Sequence, residues 1–271
     1  MTRWGVRQIE PTSHAWRPRA EVLNDRLENL NQPSATRRQE LTTILLPAPI
    51  AVKHSKQSHE APTMLLYVDA QFASPYVMPV YVSLLEKGVT FDMQTLDLFT
   101  RANQQPEFAS TSITRRVPTL VHDDFSLSES SAICEYIDET FPGICLYPTD
   151  PRNRARARQV QAWIRSDLMP IRDERPSIVV FYGVNRAALS AAGQEAAAKL
   201  YSAALAFLPE QSANLFGEWS IADVDLAMML NRLIMHGDAV PERLVAYATH
   251  QWQRPSVQRW VKLPRPGHGR V

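Results

Sequence analysis

Residues 64–88, MLLYVDAQFASPYVMPVYVSLLEKG, decide how the rest of the chain is read. Met64 to Ala70 form a short β-prone run, and from Ser74 onward apolar residues fall at helical spacing until a glycine closes the pattern. The reading is strand, loop, helix. Pro75 suits the first helical turn, where its missing N–H has no intrahelical partner to lose, and Gly88 suits a left-handed stop. Pro79 predicts some irregularity in that turn. Ser74 stands immediately before the helix, where free N–H groups and the positive end of the macrodipole favour an anion. A serine there is also an ordinary helix cap.

Working outward, Thr90 to Asp97 alternates enough for a second strand, and a polar, irregular stretch from Thr100 to Arg115 follows. Val117-Pro118-Thr-Leu-Val predicts a third strand with proline at its start. The proline removes one N–H, whether its peptide bond is cis or trans, and turns the Val117 backbone outward with both polar groups free for an extended peptide ligand. An edge-strand proline without a ligand gives the same pattern. After the turn at His122-Asp-Asp, Phe125 to Leu127 predicts a fourth strand, and Ser128-Glu-Ser-Ser starts a helix running to Phe141. Glu129 and Ser130 at that start can hold an ammonium and a carboxylate together, or merely cap the helix.

Pro142, Gly143, Pro148 and Pro151 mark a boundary, and everything beyond reads as helical. Asp150-Pro151 caps a helix predicted to run to about Pro170. Others are predicted over about Ala191–Leu208 and Ile221–His236, with two shorter ones after Pro241 and Pro255. Ser220-x-x-Asp223 has the form of a capping box. Arg152, Arg154, Arg156 and Arg158 fall at every second position, so they point around their helix as solvated or dimer-facing charges.

Composition narrows the classes. The 271 residues are 45% apolar with a net charge of +1, enough for one or two cores and no field to recruit nucleic acid or an anionic membrane. The two cysteines, Cys134 and Cys145, have no disulfide or metal-finger spacing, so a reducing cytoplasm and no metal are expected. Cys134 lies in the apolar pattern of its helix and Cys145 in the linker. No run approaches the ~18 apolar residues of a membrane span. Residues 1–62 carry nine basic and six acidic residues and no sustained period. They read as a disordered extension, or as a start codon placed too far upstream.

The order Ser74-Pro-Tyr, Arg116-Val-Pro, Glu129-Ser130 and then an all-helical half resembles the glutathione S-transferase family over residues 64 to about 262. More closely, FASPYV, TRRVPTL, DDFSLSESSAI, NRARARQVQAWIRSDLMPIRDERP, LFGEW, IADVDLA and ATHQWQR resemble the bacterial YfcF-type glutathione transferases. The resemblance implies a thioredoxin-like glutathione-binding domain (βαβαββα) over residues 63–142 and an all-helical domain over 150–262, paired as a cytoplasmic homodimer. It implies glutathione as co-substrate, with Ser74 donating a hydrogen bond to its sulfur. Val117 would pair with the cysteinyl main chain beside Pro118, and Glu129 and Ser130 would hold the γ-glutamyl end. Arg116, or alternatively Arg115, would meet the glycyl carboxylate. Trp163, Met169, Arg172 and Tyr182 are candidates for an electrophile pocket, and Tyr76 for packing. The expected activity is thiol conjugation to electrophiles, with glutathione-dependent peroxide or disulfide reduction in oxidative-stress defence. The alternative is a non-catalytic interaction protein of the same fold, like the starvation proteins that bind RNA polymerase.

Overall fold

A computed structural model describes residues 64–267, and the expectations for residues 1–62 lie outside the described residues. Four strands, β1 (Met64–Asp69), β2 (Asp92–Leu96), β3 (Thr119–His122) and β4 (Phe125–Ser128), form one mixed sheet in the order β2-β1-β3-β4. β1 runs parallel to β2 and antiparallel to β3, with Leu66 opposite Leu120 and Leu120 opposite Leu127. Met64, Leu66 and Val68 are buried while Leu65 and Tyr67 are half-buried, the two-residue period of a strand whose faces differ in cover.

Helix α1 (Val77–Glu86) buries every residue from Val77 to Leu84. A helix apolar around its whole circumference must be covered on all sides. The sheet and α3 (Ser130–Thr140) cover it within its own domain, and two helices of the second domain close over the rest. The helix begins at Val77, not at Pro75, because the Ser74 hydroxyl oxygen accepts from the N–H groups of Tyr76 and Val77 and makes Pro75-Tyr76 a turn. Pro79 then falls at the third helical position, where no intrahelical bond is lost. Gly88 stops the helix with φ 66°. The stretch 100–115 holds a 3-10 turn at Ala102–Gln104 and the short α2 (Pro106–Thr111), giving the domain the element order βαβαββα.

The second half contains α4 (Pro151–Ser166), α5 (Met169–Glu174), α6 (Ser177–Tyr182), α7 (Ala191–Phe207), α8 (Ile221–Ile234), α9 (Glu242–Trp252) and α10 (Pro255–Val261). The helix expected to reach Pro170 ends at Ser166. The proline ring cannot sit in a helix interior, so the chain breaks at Asp167-Leu168 and restarts with Pro170 in the first turn of α5. α6 has six residues, too few for a periodic signal. The capping box of α8 is complete, with Ser220 and Asp223 satisfying each other's backbone.

The halves share one core. Leu146 and Tyr147 of the linker are fully buried, and the Asp138 carboxylate accepts from both their N–H groups. Trp260 of α10 packs on Tyr81 and Phe72, and Arg254 bridges to Glu86 of α1. Of the alternating arginines, Arg152, Arg156 and Arg158 are exposed and Arg154 is half-buried; Arg154 and Arg158 pair with Asp138 and Glu135 of α3. Among the described residues, no helix is long and apolar enough to cross a membrane.

Candidate active site

Asp69, at the end of β1, shapes the loop that carries Ser74. Its buried carboxylate accepts from the N–H groups of Ala73 (2.7 Å) and Ser74 (3.1 Å). Burial pushes its pKa up, and the two N–H donors oppose that shift. Ser74 is thereby held at the N-terminus of α1, half-buried, its Oγ 3.3 Å from each of the Tyr76 and Val77 nitrogens. Two N–H groups occupy the oxygen's acceptor sites, so the hydroxyl proton is available to donate to an anion at the helix end.

Opposite Ser74, the segment before β3 is fixed by Thr119, whose hydroxyl donates to the Arg116 carbonyl at 2.7 Å. The Val117–Pro118 peptide bond is cis, and neither the N–H nor the C=O of Val117 has a hydrogen-bond partner among the described residues. Glu129 precedes α3 with φ 76°, and Ser130, buried, opens that helix. These pieces meet in one open cleft. One part, about 340 Å³, is lined by Tyr76, Arg116, Val117, Pro118, Glu129 and Ser130. A second part, about 710 Å³, is lined by Ser74 and shares Tyr76, Arg116 and Val117 with the first. Arg116 therefore faces the cleft, whereas Arg115 stands exposed with φ 54° and its carbonyl accepts from Asn103.

The candidates from the helical half are dispersed. Arg172 reaches the cleft wall and donates to the Tyr76 hydroxyl at 2.9 Å, with exposed Met169 against its other Nη. Trp163 instead bonds Asp167 and packs on Phe207 of α7, and Tyr182 donates to the Gln71 carbonyl behind the Ser74 loop. Three contributors escaped the sequence reading. Tyr76, expected to pack, lines the cleft; Arg165 of α4 also lines it, and Arg232 of α8 lines a smaller cavity that shares Tyr76 and Arg165 with it. Only Arg232 carried a signal, an arginine inside a helix otherwise patterned for burial. Cys134 is fully buried, and burial pushes its thiol up to about 12, which leaves it unreactive.

Two family models match in order: a glutathione S-transferase N-terminal domain over residues 72–144 and a glutathione S-transferase C-terminal domain over residues 150–265. A glutathione transferase homolog from Burkholderia, solved with bound glutathione, is 45% identical; the match covers 73% of this chain and 96% of that one with a TM-score of 0.60. A maleylacetoacetate isomerase from Methylobacterium, solved with malonate and glutathione, is 25% identical over 75% of this chain and 98% of its own, also with a TM-score of 0.60. An Arabidopsis thaliana glutathione S-transferase is 40% identical over 88 residues, 32% of this chain and 38% of its own length. The chain spans less than half the length of the curated relatives it matches. With both domains matched in order and a 45%-identical relative covered almost end to end, the chain belongs to the glutathione S-transferase family.

Proposed function

We propose that the protein is a glutathione transferase of the YfcF type in which Ser74 activates the glutathione thiol. The observation that carries this reading is the Ser74 hydroxyl at the N-terminus of α1, its oxygen engaged by two N–H groups and its proton free. A thiolate receiving that proton as a hydrogen bond, at the positive end of a helix, is stabilised over the thiol, whose ordinary pKa is ~8.5. Attack on an electrophile then forms the sulfur–carbon bond as a leaving group departs with its bonding electron pair. The same thiolate serves glutathione-dependent reduction of peroxides or disulfides in oxidative-stress defence.

Within residues 63–142, the unpartnered main chain of Val117, beside Pro118, pairs with the cysteinyl residue of glutathione as a short strand addition. Glu129 and Ser130 take the ammonium and carboxylate of the γ-glutamyl end, and Arg116 the glycyl carboxylate. Residues 150–262 supply the electrophile side of the cleft, and the working unit is a cytoplasmic homodimer that needs no metal. The bound glutathione of the Burkholderia relative supports the choice of co-substrate.

The test is calorimetric titration with reduced glutathione, paired with assays of conjugation to an aromatic electrophile and of hydroperoxide reduction. Binding with turnover is expected. Absence of binding at millimolar glutathione would contradict the reading and leave the non-catalytic interaction protein in its place.

A further inference from the structure

Beneath the cleft lies a small cavity of about 20 Å³, lined among others by Tyr76, Arg165, Arg172, Asp225 and Arg232. It shares Tyr76 and Arg165 with the cleft, so a group seated there adjoins the proposed glutathione site. Its charge is not balanced. Asp225 is engaged by Arg165 at 3.4 Å and by Gln161 at 2.7 Å, and no other carboxylate among the described residues lines the cavity.

Arg232 is 4% exposed, and among the described residues its one hydrogen bond runs from Nη1 to the Arg175 carbonyl at 2.7 Å. Its Nε is buried without a partner, as is the Nε of Arg172. Among the described residues, neither arginine forms an ion pair with a carboxylate. Burial, opposed by Tyr76 and with a smaller push from Arg172, lowers the Arg232 pKa to about 10, so it remains a cation at neutral pH. Two neighbouring guanidinium groups without an anion, one of them buried, are costly to maintain and call for an anionic occupant. The Tyr76 oxygen accepts from Arg172, which leaves the phenol proton to donate. Guanidinium forks and a phenol lining one small cavity suit a planar carboxylate.

We propose that this cavity receives the carboxylate of the second substrate, so that the preferred co-substrates are small electrophiles carrying a carboxylate group. The reaction itself rests on the transferase reading; the anion site does not. With an aryl chloride, the glutathione thiolate would form the new sulfur–carbon bond, chloride would leave with the carbon–chlorine electron pair, and the thiol proton would pass to solvent.

Two measurements on the full chain test this. In the first, kcat/KM is compared for chlorodinitrobenzoate and the matching benzamide in the wild type, Arg172→Gln and Arg232→Gln. A preference for the acid of about ten-fold or more is expected in the wild type, collapsing in either variant. Arg172→Gln decides the question if Arg232→Gln does not fold. In the second, unreactive dinitrobenzoate and dinitrobenzamide are titrated calorimetrically with and without saturating glutathione. Tighter binding of the acid, lost in Arg172→Gln and undiminished by glutathione, supports the site even if no turnover is found. Equal handling of acid and amide overturns it. So does displacement of dinitrobenzoate by glutathione, which would assign the cavity to a carboxylate of glutathione itself. Failure of the transferase reading would appear separately, as absent glutathione binding.

Discussion

Because the Ser74 hydroxyl accepts two backbone N–H bonds and still has a proton to donate, its removal has two separable consequences. Ser74→Ala is expected to lose about 1 kcal/mol of stability as a helix cap, read as a small fall in Tm. It should also lower kcat/KM by roughly a hundred-fold, because the donor acts on the charge that the sulfur carries in the reaction. An unchanged kcat/KM would remove Ser74 from the mechanism. The residues legible in the sequence, Ser74, Val117-Pro118 and Glu129-Ser130, all lie at a strand end or helix start. There a local pattern announces free backbone groups. Tyr76, Arg165 and Arg232 were not legible as a group, since they come from three elements joined only by packing.

At the scale of elements, two carboxylates organise the helical half, one of them, Asp223, buried and the other, Asp238, half-buried. Asp223 accepts from Leu215 N–H, Ser220 N–H and the Tyr247 hydroxyl, and burial raises its pKa against these donors. Asp223→Ala orphans several buried donors at once and is expected to cost about 3 kcal/mol in denaturant unfolding, more than loss of an exposed cap. Asp238 behaves oppositely: paired with Arg175 at 2.6 and 2.8 Å, its carboxyl is held below its usual range. A depressed folded pKa contributes stability that is present above the unfolded value of ~4 and lost as pH falls through the folded value. Asp238→Asn should therefore destabilise strongly at neutral pH, with the difference from wild type shrinking as unfolding is measured below about pH 4. The Ser220-Asp223 box was readable because its members are three residues apart. Asp238 and Arg175 are separated by 63 positions and nothing local links them.

For the molecule as a whole, α1 is the shared element, covered by its own sheet on one side and by α8 and α10 on the other. Tyr81, Trp260, Leu146 and Tyr147 belong to neither half alone. Unfolding of the full chain followed by calorimetry is expected to show one cooperative transition for the two domains, and a fragment of residues 64–142 should give none. Two resolved transitions would contradict the shared core. The strand and helix order was readable from periodicity, whereas the closure of α10 over α1 depends on contacts between residues far apart in sequence. The measurement closest to the central claim is titration of the thiol in the glutathione complex by its ultraviolet thiolate absorbance, in wild type and Ser74→Ala. A wild-type pKa at least about one unit below the ~8.5 of a free thiol is expected, returning toward that value in the variant. A bound thiol titrating at its free value in the wild type, or a lowered value retained without the Ser74 hydroxyl, would contradict it.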